Sequence, residues 1–309
     1  MKFIVFAPSY DENSGGAILL HKLCSVINQL GYECYLYPYF ENLQANKFNV
    51  LDVIYTLLKS FIKSKLVVYK TNKNFKTPLF NSALSDIKGD DYVVIYPEIV
   101  FGNPLKAKNV VRWFLHKPGF HNSNIFFGSG EFYVDYNNFA DGFNYPGSVV
   151  SQNRLNITHS PLEIYNLHDA LPYESRSGSA YCLRKGKHRK IVHDLSDSVL
   201  IDGKSHVEVA QIFKRVKSFY SYDIYTNYSQ YAALCGADSI IIPESSVSEN
   251  DWHPNAENRY GLAYGLENLD FARSTKGKVL NSVLKTQNDE LNMVRRFVED
   301  SSVFFKNRA

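Results

Sequence analysis

The chain has 309 residues, 45% of them hydrophobic and 21% charged, and its formal net charge is +3 at pH 7. These values are typical of a globular protein with one large α/β domain or two domains of ordinary size. The small net charge argues against a nucleic-acid-binding protein, and the lack of an apolar run of about 18 residues argues against a membrane-spanning one.

The first residues and the cysteines indicate the compartment. The N-terminal sequence MKFIVFAPSY becomes polar too soon for a signal peptide. The four cysteines are far apart and form no CxxC pair, which is typical of buried thiols in a reducing compartment. We therefore expect a cytoplasmic protein.

Strands and helices alternate along the first half of the chain. An apolar run at 3–7 ends at Pro8 and predicts a buried parallel strand. After a polar loop, apolar residues at helical spacing predict a helix that ends at Gly31. Further strands are predicted at 33–37, 66–69, 92–96 and 110–115, with a helix at 54–61.

The second half repeats this alternation after a Gly-, Asn- and Tyr-rich segment at 120–175, in which only 125–127 and 155–158 are strand-like. Ser205 and Glu208 form a capping-box pattern at a helix start, and a long helix closes the chain. Strands are predicted at 180–183, 199–202, 219–224 and 239–242, and a helix at 228–235.

This alternation predicts an α/β fold with two Rossmann-like domains, residues 1–160 and 161–309, the second ending in the closing helix. Parallel sheets bind ligands at the carboxyl ends of their strands. We therefore expect the two sheets to face a central cleft that holds the ligands.

The loop after the first strand contains Ser14, Gly15 and Gly16 at the predicted start of a helix. Glycines there let a ligand approach the backbone, and a helix N-terminus attracts anions. The alternative is a tight turn with Ser14 as the N-cap. The loop lacks the GxGxxG fingerprint, which disfavours a nicotinamide-dependent oxidoreductase.

Three carboxylates of the first domain are candidates for a catalytic base. Asp11 and Glu12 lie in the same loop, and Glu98 follows the strand at 92–96. A carboxylate at this edge could take the proton of an acceptor hydroxyl. The alternatives are solvation for Asp11 and Glu12 and a structural hydrogen bond for Glu98. Glu98 is the best placed, because it follows a buried strand.

The second domain has cations and polar residues where two strands end. Arg184 and Lys185 could neutralise a leaving diphosphate, or they could belong to a solvated basic turn. Thr226 and Asn227 stand at a predicted helix start, where they could bind phosphate or simply cap the helix. The full set of candidates on this side is Arg184, Lys185, Asp223, Thr226, Asn227, Tyr228 and Glu244.

Several segments resemble known glycosyltransferases. YAALCGADSIIIP at 231–243 is similar to the donor-site helix and following strand of GT-B glycosyltransferases. YPEIVFGNP at 96–104, NVVRWFL at 109–115 and YCLRKG at 181–186 resemble proteins of bacterial O-antigen and capsule gene clusters. Some retaining GT-B enzymes use two glutamates near this helix, one on the sugar and one on the ribose. The corresponding positions here hold Asp223 and Tyr231, and Glu244 is an alternative carboxylate.

The resemblance implies an enzyme that transfers a hexose or related sugar from a nucleotide-sugar to a saccharide or lipid-linked acceptor in lipopolysaccharide, O-antigen or capsule synthesis. It implies no cofactor, because the nucleotide-sugar is a substrate. We expect no metal, because a DxD triplet is missing and the histidines lack zinc spacing. The alternatives are a catalytically silent GT-B-like subunit and another nucleotide-sugar enzyme such as an epimerase.

The terminal segment is basic and allows a second interpretation of the closing helix. Its cations could touch anionic lipids at the inner face of the cytoplasmic membrane. The preferred alternative is a solvated helix that packs back on the domains. The cations are Lys276, Lys278, Lys285, Arg295, Arg296, Lys306 and Arg308.

Overall fold

The computed structural model describes residues 1–39, 67–121, 125–137, 139–140 and 142–308. The chain divides into two compact units, the first formed by Met1–His159 with Gln287–Ala309 and the second by Ser160–Thr286. The helix predicted at 54–61 lies outside the described residues.

In the described part of the first unit, six parallel strands form one sheet in the order β2-β1-β3-β4-β5-β6. Residues 3–7 of the first strand are all buried, as the continuous apolar run predicts for a strand covered on both faces. The strands are β1 (Lys2–Pro8), β2 (Cys34–Tyr39), β3 (Tyr92–Pro97), β4 (Asn109–Phe114), β5 (Phe132–Asp135) and β6 (Val149–Val150).

Helix α1 (Gly15–Gln29) connects β1 to β2. The Ser14 hydroxyl accepts a hydrogen bond of 3.4 Å from the backbone N–H of Ala17, so Ser14 is the N-cap. The helix buries its predicted apolar face against the sheet, which the 3.6-residue period requires. The buried residues of that face include Leu20, Leu23, Cys24 and Ile27.

Three strand predictions in this unit are wrong. Residues 67–69 are not a strand: Val68 is 81% exposed, and the Tyr69 hydroxyl donates to the carbonyls of Ala7 and Pro8 at 3.1 and 3.0 Å. Residues 125–127 and 155–158 are also not strands. The strands of this region are instead β5 and β6, which are too short to stand out in a segment rich in glycine and asparagine.

The second unit contains a five-stranded parallel sheet in the order β11-β10-β9-β7-β8. Four of these strands lie near their predicted positions, whereas the last strand was not predicted. The strands are β7 (Ser179–Cys182), β8 (Ser198–Leu200), β9 (Ser218–Ser221), β10 (Asp238–Ile241) and β11 (Leu262–Tyr264).

Short helices connect these strands, and two further helices, the last with 28 residues, follow β11. The capping box at the start of the first of them is formed as predicted, with the Ser205 hydroxyl accepting from the Glu208 N–H at 3.3 Å and the Glu208 carboxylate accepting from the Ser205 N–H at 2.9 Å. A 3₁₀ turn, Arg184–Gly186, follows β7. The helices are α2 (His206–Phe213), α3 (Tyr228–Leu234), α4 (Glu249–Trp252), α5 (Leu269–Thr275) and α6 (Val279–Lys306).

The division into units differs from the predicted domains at the terminal helix. The prediction placed all of α6 in the second domain, but residues 287–309 belong to the first unit. Lys22 and Glu290 form an ion pair of 2.6 Å there, with both side chains largely buried. The apolar side chains of this part of α6 lie in the core of the first unit and are Val294, Phe297, Val298 and Phe305.

The two sheets share one strand order. In each, the first strand of the unit lies between the second and the third, as β1 lies between β2 and β3, and β7 between β8 and β9. In the first sheet, the chain leaves β1 toward one side and leaves its neighbour β3 toward the other side. The same holds for β7 and β9 in the second sheet. Each sheet therefore has a topological switch point, which is where open parallel sheets bind ligands. The predicted α/β fold with two parallel sheets is confirmed. None of the described helices has the length and apolarity needed to cross a bilayer.

Candidate functional site

Glu98 lies at the switch point of the first sheet, directly after β3. Its side chain is nearly buried, with the residue 9% exposed, and its Oε2 accepts a hydrogen bond of 3.0 Å from the Leu115 N–H at the end of β4. Burial raises the pKa of Glu98 to about 7, against the opposing effect of hydrogen bonds from the backbone, including those of Leu115 and His116. A carboxyl with a pKa near neutrality suits proton transfer at physiological pH.

The start of α1 lies beside Leu115, the residue whose backbone N–H bonds to Glu98. A β-carbon on Gly15 would meet no atom within 4 Å, and one on Gly16 would meet only Leu115 Cδ1 at 3.9 Å. Gly16 and Glu98 therefore both adjoin Leu115. Packing within the unit leaves room at both glycines, so a ligand could approach the backbone there.

Asp11 and Glu12 are exposed in the loop after β1. Asp11 Oδ1 accepts a hydrogen bond of 2.9 Å from the Asn13 N–H, and its carbonyl accepts one of 3.1 Å from the Ser14 N–H. These bonds are those of a local turn. Asp11 thus shapes the loop that leads into α1, and a catalytic role for either carboxylate stays a prediction.

A group of aromatic rings beyond β4 was missed by sequence reasoning. The His116 ring stacks on Phe120 and Phe139 with centroids 4.0 and 4.9 Å apart, and Phe120 is 66% exposed. An exposed aromatic face suits the apolar face of a sugar ring. The sequence signal that could have revealed this group is the position of His116, which comes directly after the strand predicted at 110–115.

In the second unit, the turn after β7 is held by a residue that was not predicted. Asp202 Oδ2 accepts hydrogen bonds from the backbone N–H groups of Leu183 and Arg184, at 3.2 and 2.9 Å. Arg184 has φ 42°, a left-handed conformation that residues other than glycine rarely adopt. Asp202 follows β8, so two neighbouring strands fix this turn.

The turn also meets the loop after β9. The Arg184 guanidinium lies 5.2 Å from the centre of the Tyr228 ring, within the range of cation–π attraction. A β-carbon on Gly186 would lie 2.1 Å from the Tyr222 carbonyl oxygen, so glycine is required there. The structure therefore brings Arg184 and Tyr228 together at the switch point of the second sheet, with Lys185 exposed beside them.

The remaining candidates of this unit follow β9 and β10. Asp223 is buried, and its Oδ1 accepts a 3.2 Å hydrogen bond from the Tyr225 N–H. Thr226 Oγ1 accepts one of 3.4 Å from the Tyr228 N–H, whereas Asn227 occupies the N-cap position of α3 without a side-chain capping bond. Glu244 follows β10, where its carbonyl accepts from the Val247 N–H at 3.1 Å.

Tyr231, which occupies the position of a ribose-binding glutamate in the resembling enzymes, lies elsewhere. Its ring stacks on Tyr165 with centroids 4.2 Å apart, and both rings are buried in the core of the second unit. Tyr231 is therefore a packing residue on the inner face of α3.

Within the described residues, no group of three or more histidine, cysteine, aspartate or glutamate side chains is placed to hold a metal ion.

No protein-family model matches the chain, and no curated protein sequence matches it. Among the solved structures that are similar to the chain, two match over nearly its whole length. Spinosyn forosaminyltransferase SpnP has 11% identity over 97% of this chain and 95% of its own, with a TM-score of 0.33. T4 phage β-glucosyltransferase has 10% identity over 99% of this chain and 98% of its own, with a TM-score of 0.39. Each name describes a glycosyltransferase, but at these identities and TM-scores the function has to be argued from the residues of this chain.

Proposed function

We propose that this chain is a GT-B glycosyltransferase that moves a sugar from a nucleotide-sugar donor to a saccharide acceptor. One observation carries the proposal. Each sheet presents, at its own switch point, a group that this chemistry needs: the Glu98 carboxyl with its pKa of about 7 in the first unit, and the exposed Arg184 cation in the second.

The first unit supplies the base. Glu98 in its ionised form takes the proton of the acceptor hydroxyl as the oxygen attacks the anomeric carbon of the donor. The aromatic face of Phe120 supports an acceptor sugar ring near this carboxyl. The room at Gly15 and Gly16 lets a polar substrate group approach the backbone at the start of α1.

The second unit binds the donor. Arg184 and Lys185 neutralise the negative charge that develops on the nucleoside diphosphate as the glycosidic bond breaks. Asp223, Thr226 and Asn227 follow β9 on the same side of the switch point and supply hydrogen-bonding groups to the donor. Because protein cations take the neutralising role, we expect turnover to persist in the presence of EDTA.

The acceptor is proposed to be a saccharide or lipid-linked intermediate of bacterial surface polysaccharide synthesis. This proposal is supported by the similarity of the segments at 96–104, 109–115 and 181–186 to proteins of O-antigen and capsule clusters. The basic residues Arg295 and Arg296 are both exposed on α6 and are available for contact with an anionic lipid surface.

The test is calorimetric titration of the full chain with UDP, GDP, dTDP, CMP and NAD, followed by turnover assays with sugar conjugates of the nucleotide that binds. We expect one sugar-carrier nucleotide to bind at micromolar Kd, and Arg184→Ala to weaken it at least tenfold, about 1.4 kcal/mol. Arg215→Ala is the matched control, because Arg215 is exposed but precedes β9 at the opposite edge of the sheet. Binding of NAD alone, or no transfer and no hydrolysis with any conjugate, would refute the transferase.

A further inference from the structure

We propose that Asp202 is a positioning residue that holds Arg184 in an anion-binding conformation. The inference rests on the proposed function, in which Arg184 binds the donor diphosphate. Asp202 would act through the backbone of Arg184 and would not itself touch the donor.

The first support is the double hydrogen bond to the turn. Asp202 Oδ2 accepts from two consecutive backbone N–H groups, those of Leu183 and Arg184. Hydrogen bonds to an ionised acceptor are stronger than neutral ones. Two of them hold two consecutive peptide groups, 182–183 and 183–184, and thereby fix the direction in which the Arg184 side chain leaves the backbone.

The second support is the conformation that these bonds hold. Among the described residues, three that are not glycine have positive φ, namely Lys106, Asp169 and Arg184. Only Arg184 follows a strand at the carboxyl edge of its sheet. Such conformations cost free energy and persist where the surroundings impose them, often at functional sites. Here Asp202 holds the turn on the β8 side, and the contact of Gly186 with the Tyr222 carbonyl limits it on the β9 side.

The third support is what the conformation presents. The Arg184 guanidinium lies over the Tyr228 ring and makes no hydrogen bond or ion pair with the part of the chain that the structure describes. Asp202 engages the backbone of Arg184 and leaves the guanidinium donors to an incoming anion. A guanidinium steadied on an aromatic ring is well suited to bidentate binding of phosphate oxygens.

The position of the Asp202 carboxylate is unfavourable in two respects. Asp202 Oδ1 is buried and has no hydrogen-bond partner among the described residues, and burying such an atom is unfavourable. In addition, a negative charge beside a diphosphate site weakens anion binding through space. Removing that charge should by itself strengthen binding, so the sign of the effect separates positioning from simple electrostatics.

The experiment titrates inorganic pyrophosphate and UDP into the full chain, comparing wild type with Asp202→Ala, Asp202→Asn, Arg184→Ala and the double variant Arg184→Ala with Asp202→Ala. We expect Asp202→Ala to weaken binding about tenfold. Asp202→Asn keeps an oxygen that can accept both N–H groups, so it should restore most of the affinity. In the Arg184→Ala background, loss of Asp202 should cause no further loss of affinity, because Asp202 acts through Arg184, and removal of its negative charge should leave the affinity equal or slightly higher.

Asp194→Ala is the charge control, because Asp194 is exposed and forms hydrogen bonds with Ser196 within its own turn, and its removal should leave the affinity unchanged or slightly higher. Circular dichroism and thermal unfolding check that each variant folds. If Asp202→Ala does not fold, Asp202→Ser replaces it, because the shorter hydroxyl side chain lacks the reach of the carboxylate.

Stronger binding in both Asp202→Ala and Asp202→Asn would overturn the proposal, and so would an equal loss in the presence and absence of Arg184. Failure of wild type to bind either probe would overturn it as well. The transferase is judged separately by turnover. If pyrophosphate binding follows the expected pattern but no sugar is transferred, positioning stands and the transferase fails. If sugar is transferred while Asp202→Ala keeps its affinity, the transferase stands and the positioning proposal fails.

Discussion

The backbone N–H of Leu115 donates a hydrogen bond of 3.0 Å to Glu98 Oε2, so the end of β4 holds the carboxyl that follows β3. If this carboxyl is the base, Glu98→Gln should lower kcat by about 10²- to 10⁴-fold with nucleotide affinity retained. In wild type, kcat should fall about tenfold per pH unit below the Glu98 pKa of about 7, because the base must be ionised. Steady-state assays between pH 5 and 9 measure both effects.

Glu33→Gln is the control for this experiment, because Glu33 is exposed, precedes β2 and pairs with Lys2 at 2.9 Å. Its turnover should match wild type. If Glu98→Gln is fully active while Asp11→Asn or Glu12→Gln is not, the base lies in the loop after β1 instead.

The same carboxyl should make the first unit less stable as the pH rises. The folded-state pKa of Glu98, about 7, lies above its ordinary value of 4.5, so the folded state favours the protonated form. Its contribution to stability is full below pH 4.5 and is lost as the pH rises through 7. We expect Glu98→Gln to gain up to about 3 kcal/mol relative to wild type between pH 4 and 8. Urea unfolding at several pH values measures this, and a constant difference would contradict it.

The left-handed backbone conformation of Arg184 should lower the free energy of unfolding. Arg184→Ala keeps a β-carbon at φ 42°, whereas Arg184→Gly removes it. We therefore expect the glycine variant to be more stable than the alanine variant by about 1 kcal/mol. Both should lose diphosphate affinity to the same extent. Thermal unfolding compares the pair, and an alanine variant as stable as the glycine one would show that the backbone is relaxed.

The contact between Gly186 and Tyr222 should tolerate no side chain. A β-carbon 2.1 Å from a backbone oxygen cannot be relieved by a rotamer change, so Gly186→Ala must move the turn or the end of β9. We expect a loss of about 1–3 kcal/mol together with weaker nucleotide binding. Gly203→Ala is an instructive comparison: no atom lies within 4 Å of its β-carbon, and its cost should come only from its φ of 82°.

The buried ion pair between Arg112 and Glu131 in the first unit should matter for stability. Arg112 donates to both oxygens of Glu131, at 3.0 and 2.8 Å, and both residues are buried. Arg112→Met leaves the Glu131 carboxylate buried without its partner and should cost about 3–5 kcal/mol. Asp90→Asn, which removes the exposed ion pair with Lys108, should cost less than about 1 kcal/mol. Denaturant unfolding measures both.

Sequence patterns predicted most of the regular elements and missed three short strands. The run before Pro8 and the apolar face of α1 carry strong signals, because burial on a sheet demands continuous or helical patterning. The strands β5, β6 and β11 have four, two and three residues and are flanked by glycine and polar residues, so no apolar run stands out there. The exposed pair at 67–68 shows that β-branched residues alone do not make a strand.

The candidate site was predictable where function depends on position along a strand. Glu98 and Arg184 each follow an apolar strand, and the rule that ligands bind at carboxyl ends is enough to select them. Asp202 was missed because its role depends on bonds to a neighbouring turn, which no spacing in the sequence reveals. The raised pKa of Glu98 likewise comes from burial by residues distant in the chain. Tyr231 stands where the resembling enzymes have a glutamate, but a tyrosine cannot accept a ribose as a carboxylate does, and its side chain lies in the core.

The core of the first unit includes Val294, Phe297, Val298 and Phe305, although every strand of that unit precedes residue 160. A ribosome therefore synthesises the whole of the second unit before it makes the apolar segment that closes the first. The usual order, in which the N-terminal part of a chain folds first during synthesis, is reversed here. The first unit must therefore wait with an open hydrophobic face until the second unit has been synthesised, and this face is exposed to chaperones during that time.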